Sequence, residues 1–303
     1  MNNHNDNKAN IIFDDFEKSC DNNTHNINTT NANEQDSNNK QLIENVSAEF
    51  YKALDRGTYF KLLPEIITKA INRNKSNEAD FMQKLCDGIL NNTYYEDSNL
   101  ICLYGFCKEF GFKKPSTSTT PELFSSPKDY YHYASDHGNN KYAKNFLARN
   151  YRDGTGGAKI NLHQAFYWAK ESAALGFTSG QYNLGYCYIK GIGVAPSNEL
   201  ALYWFKEAAK VCNAMAEYNV GFCYRNGFGT EVDMFKASYW YHRAASHDDG
   251  LAQFVLAGQY HKGKGVNRDV HSAIRFGIRA VKNGQANTRY ALYTILCNDL
   301  NYF

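Results

Sequence analysis

Apolar residues recur at fourfold spacing between residues 42 and 98. Val46, Phe50 and Leu54 form one set, Leu63, Ile67 and Ile71 a second, Phe81, Leu85 and Ile89 a third. Residues four apart share one face of an α-helix, so the spacing predicts three helices. Gly57 and the polar stretch 72–77 mark the breaks, and Pro64 stands near the start of the second helix, where its missing N–H costs least. Before residue 42 the pattern is lost. Thirteen of the first 40 residues are Asn and few are apolar. Segment 1–41 therefore buries too little surface to offset the entropy of ordering and is expected to be disordered. One patch inside it, Ile11-Ile12-Phe13-Asp14-Asp15-Phe16-Glu17, is read as a chance cluster, with folding on a partner as the alternative.

From residue 99 the chain is periodic. Tyr-Asn-Leu-Gly-Tyr-Cys-Tyr at 182–188 returns as Tyr-Asn-Val-Gly-Phe-Cys-Tyr at 218–224 and, degraded, as Phe-Val-Leu-Ala-Gly-Gln-Tyr at 254–260. Residues 144–151 hold an earlier copy. A small residue (Ala148, Gly185, Gly221, Ala257) precedes a tyrosine by three positions (Tyr151, Tyr188, Tyr224, Tyr260). A Gly-x-Gly turn follows at 154/156, 191/193, 227/229 and 263/265. A second segment carries Ala165, Ala201, Ala237 and Ala273, spaced by 36 residues, with Trp168, Trp204, Trp240 and Phe276 three positions on. Self-similarity at this period predicts stacked helix pairs, because one pair cannot bury its apolar face alone. Small residues permit close approach of two helices, the aromatics fill the space between pairs, and the glycine turn supplies backbone angles open chiefly to glycine.

At these residues the chain resembles the Sel-1-like repeat family, a relative of the tetratricopeptide repeat. The family pattern A-x-x-x-L-G-x-x-Y-x-x-G-x-G-V, a short loop, then K-A-x-x-W-Y-x-x-A-A is met by Ala216, Val220, Gly221, Tyr224, Gly227, Gly229, Lys236, Ala237, Trp240, Tyr241, Ala244 and Ala245. The resemblance implies an all-α fold: a right-handed α-α superhelical solenoid of antiparallel helix pairs, about 36 residues per repeat. The expected organisation is a disordered tail (1–41), a helical region (42–98), a degenerate repeat with a loop insertion (99–138), four repeats (139–285) and a capping helix (286–303), where Tyr293 takes the place of the small residue.

Composition removes several alternatives. Lys plus Arg is 33 against 31 for Asp plus Glu, and no basic tract is present, so nucleic acid is not an expected partner. No apolar run approaches the roughly 20 residues of a membrane span. Residues 1–10 are polar, which gives the expectation of no signal peptide and a cytoplasmic location. The eight cysteines show no Cys-x-x-Cys and no zinc spacing; Cys187 and Cys223 occupy equivalent positions and read as small apolar fillers. A disulfide for this pair is the minority alternative, suggested by secreted cysteine-bridged relatives. Gly258 to Gly265 imitates a phosphate-binding loop, but Gly265 replaces the required Ser or Thr and a helix precedes it. His242 and His247, five apart, fall on different faces of a helix and read as solvated. No metal or cofactor is expected, and no nucleophile and base are nominated.

A binding surface remains. In tetratricopeptide-like solenoids the first helix of each pair lines the concave face. Projection of that rule selects Asn145, Arg149 and Arg152, then Tyr182, Tyr186, Ile189 and Lys190, then Tyr218, Phe222, Arg225 and Asn226, and finally Phe254, His261 and Lys262. Tyr and Arg commonly anchor interfaces. Packing between repeats is the competing role for each aromatic, Tyr182 and Tyr218 above all. The expected ligand is an acidic protein or peptide held by Arg149, Arg152, Lys190 and Arg225. The leading function is a non-enzymatic adaptor in signalling or complex assembly. A regulatory subunit of a membrane enzyme such as chitin synthase is the alternative, and a hydrolase resembling secreted cysteine-bridged relatives stands third.

Overall fold

The computed structural model describes residues 29–56, 62–90 and 96–284, which form thirteen α-helices and no strand. The chain divides into two units, Met1–Gln41 and Leu42–Phe303, at the boundary where the composition changes. Helix α1 (Thr29–Asp55) begins inside the Asn-rich segment that was expected to stay disordered. Propagating a helix adds one hydrogen bond per residue fixed, so residues next to an anchored helix order more cheaply than the same residues alone. The anchor is Val46, Phe50 and Leu54, all buried. Helices α2 (Leu63–Arg73) and α3 (Glu78–Leu90) bury the two other apolar sets completely. The expected cap over 286–303 and the apolar patch at 11–17 lie outside the described residues.

Five helix pairs follow. The segment expected to hold a degenerate repeat forms the pair α4 (Ser98–Glu109) and α5 (Pro127–Gly138). The four regular pairs are α6 (Lys141–Asp153) with α7 (Leu162–Ala174), α8 (Thr178–Lys190) with α9 (Asn198–Ala209), α10 (Ala214–Asn226) with α11 (Met234–Ser246), and α12 (Gly250–Lys262) with α13 (Val270–Lys282). Each helix packs first on its pair partner and then on the next helix along the chain, which is the arrangement of a solenoid. Asn140, Asn161, Ser197, Asn213, Asp233, Asp249 and Asp269 start seven of these helices, each side chain accepting backbone N–H bonds from the first turn. The insertion in the degenerate repeat is tied down: Thr120 donates to Asp87, and Glu122 accepts from the Tyr104 and Tyr130 hydroxyls.

The Gly-x-Gly turn does two jobs. Its first glycine ends the first helix in the left-handed region, at φ 66° for Gly191 and 73° for Gly227. Its second glycine touches the preceding pair. A Cβ at Gly193, Gly229 or Gly265 would stand 2.1, 2.3 or 2.2 Å from the carbonyl oxygen of Leu162, Asn198 or Met234. Those residues lie at the N-termini of α7, α9 and α11, the second helices of the pairs before.

Inside a pair, the small residue meets a ring. A Cβ at Gly185 would come within 2.9 Å of Phe205, and one at Gly221 within 2.9 Å of Tyr241. The ring that fills each close approach is therefore the residue after the periodic tryptophan. Trp204 and Trp240 instead pack at the edge of the preceding apolar cluster, and Trp168 is buried. The buried thiols are fillers: burial pushes Cys187 up to about 11 and Cys223 up to about 12, and both stand as free cysteines.

A polar seam runs beside the apolar one. In the first regular pair, nearly buried Lys144 faces Glu171 at 3.2 Å. In the third, the signs are exchanged: fully buried Glu217 faces Arg243 at 2.8 Å and His247 at 2.9 Å. Arg243 also donates to the Ala209 carbonyl at the end of α9, and Arg279 does the same for Ala245 at the end of α11. His242 accepts or donates at the Tyr260 hydroxyl, 3.0 Å away, and packs edge-on to Phe276. Neither histidine is merely solvated, as the sequence suggested; each bonds to a group on another helix that periodicity alone did not pair with it.

Three substitutions test these contacts through stability. Gly229→Ala places a Cβ in a left-handed backbone and against a carbonyl, and is expected to cost about 2–4 kcal/mol. Asp249→Ala, which removes a buried helix cap, is expected to cost about 1–2 kcal/mol. Urea denaturation followed by circular dichroism measures both, and equal losses would contradict this account of the turn. Arg243→Met leaves the buried Glu217 carboxylate with His247 alone. We expect a loss of about 2 kcal/mol, largely recovered when Glu217→Gln is added; the double-mutant cycle reads the difference.

Candidate functional site

The first helices α6, α8, α10 and α12 present a face made of aromatic rings and cations, and its two ends differ. At the α6 end the cations are used internally. Arg149 is paired with Glu109, the last residue of α4, and bonds the Asn150 side chain at 2.9 Å. Tyr131 on α5 donates to the same Glu109 at 2.8 Å. Arg149 is thus a strut between the degenerate repeat and the first regular one, where the sequence had placed it facing a partner. Arg152 makes two bonds to Asp153, at 2.7 and 2.9 Å, which raise the Arg152 pKa and lower that of Asp153. Its guanidinium lies 5.7 Å from the Tyr186 ring centre and reaches Asn183. Asn183 in turn donates to Asn145, which is buried.

The centre of the face is aromatic and half-buried. Tyr182 and Tyr186 stack at 6.4 Å, and Tyr182 also packs on Phe205. Tyr218 packs on Tyr241, and Phe222 on Phe228. Burial raises the pKa of both Tyr182 and Tyr218, so each stays a neutral phenol that donates and accepts. These two rings carry packing and surface roles together. Ile189 joins the core of the second pair.

Towards the α12 end the face opens. Lys190, Arg225, Asn226 and Lys262 are exposed, His261 is half-exposed, and Phe254 is 39% exposed. Helices α8, α10 and α12 contain one acidic residue between them, Glu217, and it is fully buried and paired with Arg243. This part of the face therefore carries positive charge with no opposing carboxylate of its own.

Sequence reasoning passed over two features. Asn183 links Arg152 to Asn145, and its signal was only a polar residue inside an apolar motif. Tyr167, Tyr203 and Tyr239 recur every 36 residues on the second helices and are 48%, 52% and 58% exposed, each ring set edge-on to the tryptophan that follows it. Their period is as regular as that of the tryptophans beside them. The phosphate-loop imitation at 258–265 is a repeat turn: Gly263 ends α12 in the left-handed region and Gly265 lies against Met234. Among the described residues, no group of three His, Cys, Asp or Glu side chains is placed to hold a metal ion.

Comparison with known proteins bears on the fold. The Sel1 repeat family model matches residues 141–177, 178–210, 214–249 and 250–285. No curated protein matches the chain. A Sel1 repeat protein from Oxalobacter formigenes superposes with a TM-score of 0.62 at 24% identity, over 71% of this chain and 82% of that one. A protective antigen of uropathogenic Escherichia coli strains, displaying an SLR fold, gives a TM-score of 0.62 at 22% identity over 91% of this chain; the chain spans about half (53%) of that protein's length. Each matched segment begins with the first helix of one of the four pairs α6–α13 and ends just past the second, so residues 141–210 and 214–285 carry four Sel1 repeats.

Proposed function

We propose that this chain is a non-enzymatic scaffold that holds an acidic peptide or protein segment on the face of helices α8, α10 and α12. The observation that carries the reading is the charge imbalance there. Lys190, Arg225 and Lys262 are exposed on successive first helices, while the one carboxylate on these helices is buried and paired. A cation exposed on each helix gives a ligand several charge-assisted contacts along its length. The half-buried rings of Tyr186 and Phe222 beside them supply apolar area at low entropic cost, since aromatic side chains have few rotamers to lose. The same charges steer association, so binding is expected to weaken as salt rises. The reading extends to an adaptor role in complex assembly or signalling in the cytoplasm.

The test is affinity capture from native lysate with wild type beside the double charge reversal Lys190→Glu/Arg225→Glu. Both side chains are exposed, so the variant is expected to keep the helical circular dichroism and melting temperature of wild type. A discrete partner captured by wild type is expected to be lost from the variant. Equal capture by both proteins would remove the site from this face.

A further inference from the structure

In each first helix the residue after the small one is only partly buried: Arg149, Tyr186, Phe222 and Gly258 in successive copies. The last is anomalous. A glycine inside a helix destabilises it relative to alanine, because the unfolded chain loses more freedom. Gly185 and Gly221 have a packing reason, since Phe205 and Tyr241 occupy the space a Cβ needs. At Gly258 no such contact is found among the described residues: outside its own stretch of helix, none of their atoms lies within 4 Å of where its Cβ would stand. The smallest side chain thus stands where the two preceding copies place aromatic rings, and it leaves a notch next in line after Tyr186 and Phe222. Phe254 lies one helical turn before the notch and is 39% exposed. His261 and exposed Lys262 lie one turn after it, and exposed Arg225 stands on the neighbouring first helix.

We infer that the notch at Gly258 is a socket for one bulky apolar side chain of the bound segment. The inference rests on the scaffold reading above and specifies its ligand. The ring or branched side chain of the partner fills the gap in the row Tyr186, Phe222, Gly258 and covers Phe254. A carboxylate of the same segment meets Arg225 or Lys262. Packed helices lie about 8–10 Å apart, and an extended chain covers about 10 Å in three residues. The recognised class is therefore an extended segment with Phe, Trp or Leu about three residues from an Asp or Glu. Charge selects it, because the first helices around the notch offer cations and no exposed carboxylate.

The experiment uses the full chain and a fluorescein-labelled heptapeptide with a central Phe and Asp three residues to either side, in a Gly/Ser background. Control peptides carry Ala for the Phe, or Lys for both Asp. Fluorescence anisotropy reads affinity and thermal melting reads folding. Gly258→Ala is expected to melt above wild type, because no described atom opposes the new methyl group. Gly258→Leu fills the socket; it is expected to melt no lower than wild type and to bind the Phe peptide at least tenfold more weakly, with the Ala peptide bound equally by both proteins. If Gly258→Leu binds the Phe peptide as tightly as wild type does, while Lys190→Glu/Arg225→Glu loses it, the socket is overturned and the charged face stands. If wild type binds none of the peptides at millimolar concentration, the socket and the charged face fall together.

Discussion

Stacking of these helix pairs depends on a contact between two stretches of backbone that only glycine allows. At Gly193, Gly229 and Gly265 the turn that ends one first helix presses against the carbonyl opening the second helix of the preceding pair. Any side chain there would push the pairs apart. The contact fixes the spacing between pairs, and the seam contacts depend on that spacing. His242 reaches Tyr260 across one seam, and Arg243 and Arg279 reach the ends of the helices before them. A cation at the C-terminus of a helix also meets carbonyls that have no partner within that helix, so these arginines continue the same inter-pair contact in polar form.

The fold was legible because a solenoid imposes the same packing demand every 36 residues. A glycine that must accept a left-handed angle or a neighbouring carbonyl cannot drift, and neither can a small residue under a ring. The three apolar sets between 42 and 98 were legible for a simpler reason: each turns one helix face inwards, and all nine residues are buried. The start of α1 at Thr29 was not legible, since composition reports what a segment can bury alone and not what a continuing helix imposes on it. The rings facing Gly185 and Gly221, Phe205 and Tyr241, were not singled out, because periodicity identifies which positions matter without saying which way each side chain points.

The candidate face was legible only in part. Lys190, Arg225 and Lys262 project outwards as the repeat geometry implied. Arg149 does not, because its partner Glu109 lies forty residues away, in the degenerate repeat and across the inserted loop, where no periodic argument reaches. Arg152 is occupied by its own neighbour Asp153, a pairing outside the repeat comparison. Charge at a repeat position is thus less informative than small size or aromaticity there. Packing acts on every copy alike, whereas each charge answers to whichever groups happen to surround it.

The exchanged signs of the polar seam have a consequence for assembly of the chain itself. Near-identical modules invite mispairing, in which the first helix of one module docks on the second helix of another, within a molecule or between two. Apolar matching offers little protection, since the rings and small residues recur. The seam does discriminate. Docking α6 on α11 would set Lys144 against Arg243, and docking α10 on α7 would set Glu217 against Glu171, each with one member buried. Like charges away from water are far costlier than a poorly fitted methyl group. The two ion pairs thereby act as address labels, making two of the modules non-interchangeable in a chain whose apolar contacts are nearly so.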